Sequence, residues 1–168
     1  ILPAREAARG GIKQLASKTR YMYDSILLPT DGSDTVDRTL PHALRLAADH
    51  DATVRALAVV DIRSIQAAGT DDRDGVDAEL TADAEAAVAE IADRAAEQDL
   101  DVETSVRHGT PDKEIIHETN EADIDVIVIG TDSKSPREKI ALGSVSERVV
   151  DTADVPVFVV KQAAEDAE

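Results

Sequence analysis

Two stretches of the chain combine glycine with hydroxyl and acidic residues at spacings suited to holding an anion. Pro29-Thr30-Asp31-Gly32-Ser33 follows one apolar run; Gly130 ends another, and Gly143-Ser144 comes thirteen residues later. Lack of a Cβ lets Gly130 turn sharply at the end of a strand. Gly143-Ser144 reads as the opening of a helix, whose first N–H groups and positive dipole end form an anion site. Ser144 either adds a hydroxyl to a phosphate oxygen or N-caps its own helix. Asp31, projecting past the strand, either meets a ligand or closes an Asx-turn before the next helix. Within the loop, Asp132 adds a negative charge and Ser133 a Cβ where a phosphate cradle keeps bare backbone. Lys134, Arg137 and Lys139 oppose that charge with three bases in six residues, which points to anion attraction.

Other chemistries find no support. No GxxxxGK[ST] run occurs, so a P-loop is excluded. Registered on Gly75, the acidic run Asp71–Asp77 lacks the twelfth-position Glu of a calcium loop. His117, near Glu114 and Glu118, reads as a helix-surface group, and His108 has no evident metal partner. No nucleophile, base and orienting group stand together, so the chain reads as a binder and not an enzyme.

The elements that must position these residues alternate along the chain. Apolar runs at Ser25–Pro29, Thr53–Val60, Val102–Val106, Asp125–Ile129 and Val155–Val160 read as strands. Val36, Leu40, Ala43, Leu44 and Ala47 mark one helix over Asp34–His50. Leu80, Ala84, Ala87, Val88, Ile91 and Ala95 mark a longer one. Thr110-Pro111 opens a third, as N-cap and first-turn proline, and Gly143-Ser144 opens the last, with Val145 and Val149 inward. Asp61–Val76 reads as an irregular, mobile cover over the ligand edge. The order predicts an α/β fold: a doubly wound, five-stranded parallel sheet, Rossmann-like, with its ligand at the carboxyl ends of the strands.

Charge divides the 168 residues. Residues 1–21 hold five bases against one acid, whereas the remainder holds 13 bases against 34 acids, a net of −21. The only methionine, Met22, stands at this boundary and is the expected natural start. Residues 1–21 are then an upstream or foreign segment, the alternative being a basic targeting or partner-binding arm. Residues 22–162 are the expected domain and 163–168 an acidic tail. Such acidity repels nucleic acid and anionic membranes and suits a concentrated-salt cytoplasm. One Phe and two Tyr leave little for base stacking by aromatic rings. No apolar run approaches the ~18 residues of a membrane helix, and the absence of cysteine fits a cytoplasmic protein.

From Met22 to about Lys161 the chain resembles the universal stress protein family. PTDGS after the first strand, GTP after the third, GSVSERVV and DVPVFVVK carry the likeness. The nucleotide-binding branch has Gly, two residues, Gly, nine residues, Gly, then Ser or Thr. Here Gly130, Gly143 and Ser144 match, and Ser133 occupies the second glycine. The resemblance implies the adenine nucleotide alpha hydrolase-like fold and a weak site for ATP, with magnesium, or a related adenine nucleotide. Asp31 would meet the ribose, the Val59 backbone the adenine, and Gly130, Gly143 and Ser144 the phosphates, with Pro29, Thr30, Ser133, Lys134, Arg137, Val145 and Ser146 completing the nucleotide site. It also implies a homodimer through Val155–Lys161, an edge strand that would otherwise be open. The alternative is a family dimer without a nucleotide that acts through protein partners. A third possibility, an adenylyl transferase or flavoprotein-like enzyme, needs an HxGH pair where PTDGS stands.

Overall fold

A computed structural model describes residues 22–131 and 143–161. The basic segment 1–21, the tail 163–168 and the loop positions Asp132, Ser133, Lys134, Arg137 and Lys139 lie outside the described residues. Five strands, β1 (Ser25–Thr30), β2 (Thr53–Asp61), β3 (Val102–Gly109), β4 (Val126–Gly130) and β5 (Val157–Val160), form one sheet in the order β3-β2-β1-β4-β5. Every neighbouring pair is parallel, as the strand–helix alternation requires. The helices are α1 (Thr35–His50), α2 (Ile62–Ala67), α3 (Arg73–Ala96), α4 (Pro111–Glu121) and α5 (Ser144–Thr152).

Alternation along the strands sends side chains to two separate cores. Ile26, Leu28, Val54, Ala56 and Val128 meet Leu40, Ala43, Leu44 and Ala47 of α1 and Val88, Ile91 and Ala95 of α3. Leu27, Leu57, Ile127 and Ile129 face Ile115 of α4 and Val149 of α5. Residues one apart point to opposite faces, so β1 and β4 must be apolar throughout. The chain winds from β1 outward to β3 and then returns past β1 to β4. The reversal lies between β1 and β4, where their carboxyl ends open a crevice.

Asp61–Val76 is not the irregular stretch expected. It contains α2 and the first residues of α3. No residue of α2 is buried, so it has no apolar stripe. The Asp61 side chain caps it, accepting from the Arg63 backbone N–H at 2.9 Å. The fold thus gains one helix between β2 and β3.

An ion cluster fixes α4 to the sheet. Glu118, 3% exposed, accepts from Arg55 of β2 on one oxygen and from Arg107 of β3 at 2.7 Å on the other. Arg55 also pairs with Glu103, and Arg107 bonds Glu114 at 2.8 Å and Glu121 at 2.7 Å. Burial pushes the Glu118 carboxyl upward, but the two arginines outweigh it and hold it below the ordinary range. Glu118 is therefore no surface group, whereas His117 is mostly exposed and lies 3.6 Å from Glu114.

Candidate functional site

A cavity of about 420 Å³ opens at the carboxyl ends of β1, β2 and β4. That volume lies in the range of small-molecule pockets. Its floor at β1 is Pro29, Thr30 and Asp31. The turn that follows is braced by its own side chains: Thr30 Oγ1 accepts from the Gly32 N–H at 3.1 Å, and Asp31 Oδ1 from Ser33 at 2.9 Å. Gly32 sits at φ +77, a conformation that favours glycine. Asp31 thus closes the Asx-turn with one oxygen, and its Oδ2 has no protein partner among the described residues.

At β4 the wall is Gly130. A Cβ there would collide with Thr35 Cγ2 and stand 2.6 Å from Thr39 Oγ1. Glycine is required at this point because α1 crosses the strand end closely, a reason beyond the sharp turn expected. Thr39 is held in place by donating to the Thr35 carbonyl at 2.7 Å.

The third wall is the start of α5, where Gly143, Ser144, Val145 and Ser146 line the cavity. Gly143, not Ser144, is the N-cap, and among the described residues no side chain caps this helix. Ser144 is the first helical residue and is exposed, so its hydroxyl is not spent on its own helix. The first helical bond runs from Glu147 N–H to Gly143 O at 2.9 Å. The N–H groups of Ser144, Val145 and Ser146 precede it and have no intrahelical acceptor. Ser146 is buried and donates to the Gly130 carbonyl at 2.9 Å. That bond ties the helix start to the end of β4.

At β2 the cavity meets Val59, Asp61 and Arg63. Arg63 forms a two-pronged pair with Asp61, Nε to Oδ1 at 2.9 Å and Nη2 to Oδ2 at 2.6 Å. The hydrogen bonds from Arg63 hold the Asp61 carboxyl below its ordinary range. The structure therefore brings together nine expected positions, from Pro29 at β1 to Ser146 at α5, while Ser133, Lys134 and Arg137 lie outside the described residues. Asp61 and Arg63 were not anticipated; the one signal was an acid closing the apolar run TVRALAVVD.

The universal stress protein family model matches residues 22–161. The chain belongs to the universal stress protein family. It is 34% identical over 142 residues to universal stress protein MJ0531 of Methanocaldococcus jannaschii, covering 84% of each chain. The solved structure of MJ0577 from the same organism superposes with a TM-score of 0.78 at 29% identity, covering 86% of this chain and 100% of that one. The fold is also that of an Archaeoglobus fulgidus universal stress protein solved with dAMP, at TM-score 0.61 and 22% identity over 84% of this chain and 100% of that one.

Proposed function

We propose that this family member is a dimeric stress-response or regulatory protein that binds ATP or a related adenine nucleotide weakly. The observation that carries this reading is the crevice at the strand-order reversal. It has an uncapped helix start at one side, a free carboxylate oxygen on Asp31 at its floor and apolar Val59 at the other side. The helix start suits phosphates, Asp31 a ribose hydroxyl, and the end of β2 a base. On this reading the protein acts in the cytoplasm, by binding and not by turnover. Among the described residues no helix is long and apolar enough to cross a membrane. Mass spectrometry of small molecules released from gently purified protein tests the reading directly. Adenine nucleotide released above the level of a mock purification supports it; protein that carries none and binds none at millimolar concentration leaves the partner-binding alternative.

The dimer rests on β5. This strand is the sheet edge next to β4, and its Phe158 is 47% exposed, its ring touching only the His42 ring of α1 at 5.8 Å among the ring contacts of the described residues. An open apolar edge invites pairing with a second copy. Val159 packs against the core of Leu27, Ile127 and Val149, so Phe158 is the cleaner probe. Sedimentation of Phe158→Lys is expected to show monomer at micromolar concentration where the parent is dimeric, with little change in folding. A monomeric parent contradicts the dimer.

The −21 charge of residues 22–168 gives a further expectation. Like-charge repulsion is felt over ~30 Å at 0.01 M salt and only ~3 Å at 1 M. The melting temperature is therefore expected to climb steeply from dilute buffer to molar KCl. A flat profile would make the acidity incidental.

A further inference from the structure

We infer that Arg63 is a specificity residue of the cavity, its flat guanidinium forming the surface on which the nucleotide base stacks; this rests on the nucleotide reading above. Stacking a heteroaromatic ring ordinarily calls on Phe, Tyr or Trp, yet no aromatic ring lines the cavity among the described residues. Among the described residues Arg63 is the one delocalised planar cation there, and such a plane packs on π faces.

Its place favours the base over the phosphates. Arg63 follows β2, while the start of α5 adjoins β4, and β1 lies between those two strands. At ~4.8 Å per strand the two ends of the crevice are ~10 Å apart. The anion-attracting helix start and Arg63 thus occupy opposite ends, with Val59 on the Arg63 side.

Asp61 makes the plane usable. Its two oxygens take Nε and Nη2, which orients the guanidinium, and the carboxylate neutralises its charge. The same Asp61 caps α2 through the Arg63 backbone N–H. Two fixed points therefore hold the residue, while its side chain stays 61% exposed. A flat, pre-oriented face loses little freedom when a ring settles on it.

The test is calorimetry on the full chain and on Arg63→Lys, which keeps the charge and the backbone cap but loses the plane. The titrants are AMP, ATP and inorganic tripolyphosphate at matched salt. Arg63→Lys is expected to weaken AMP and ATP alike, by about fivefold, with tripolyphosphate unchanged. Equal AMP affinity in parent and variant overturns the inference. A loss confined to ATP and tripolyphosphate also overturns it, placing Arg63 on the phosphates. If the parent binds neither nucleotide, the nucleotide reading itself has failed, and the inference with it.

Discussion

Replacing Glu118 with glutamine is expected to lower stability by about 2–3 kcal/mol, measured by urea or thermal unfolding. The charge it removes is the one shared by Arg55 and Arg107 beneath α4. Removing one member of a buried ion cluster costs ~3–5 kcal/mol because the partners stay desolvated. Two features moderate that figure. Each arginine side chain is about a quarter exposed, and each keeps another carboxylate, Glu103 for Arg55 and Glu114 with Glu121 for Arg107. For a domain of this size the melting temperature should fall by roughly 6–10 °C. A change within experimental error would mean that the cluster contributes register but little stability.

The same cluster sets an acid limit. The folded pKa of Glu118 lies below its unfolded value of 4.5, so ionised Glu118 favours the folded state. That contribution is full above the unfolded pKa and is lost as pH falls through the folded one. Parent stability should therefore drop below about pH 4.5, and Glu118→Gln should show a shallower acid slope than the parent. Parallel slopes for the two proteins would remove Glu118 from the acid response.

Gly143→Val is expected to reduce ATP affinity at least a hundredfold while leaving the proposed dimer intact. Gly143 caps α5 at φ −57 and ψ 151, which valine can adopt, so the fold need not change. What changes is access. An isopropyl group at the cap is expected to obstruct the approach of phosphate to the N–H groups of Ser144 and Val145. Loss of those charge-assisted hydrogen bonds, at ~1.5–3 kcal/mol each, accounts for the factor. Retained affinity would place the ligand away from the helix start.

Much of this arrangement was legible in the chain. The stripe from Val36 to Ala47 and the paired apolar runs define helices and strands by period, and the winding follows from their alternation. The turn after β1, the end of β4 and the start of α5 were legible because Gly32, Gly130 and Gly143 are backbone signals. Features that depend on contacts between distant elements were not. Gly130 is constrained by α1 lying across it, a packing fact that no local pattern carries. Arg55, Arg107 and Glu118 meet only when β2, β3 and α4 are in register, with Arg55 beside Glu103 and Val59 beside Arg107. Taken singly, they look like surface charges. The short helix α2 escaped notice because its cap, and no buried face, defines it. Ser144 was ambiguous for a similar reason: whether Gly143 or Ser144 is the cap depends on one ψ angle.

The central claim, a nucleotide site in the crevice between β1 and β4, is most directly tested by titrating ATP with magnesium into the full chain by calorimetry. The expected result is saturable binding of one ATP per chain with a dissociation constant below a millimolar, lost in Gly143→Val. Absence of any saturable heat at several millimolar ATP, from a protein that is folded and dimeric, would contradict it.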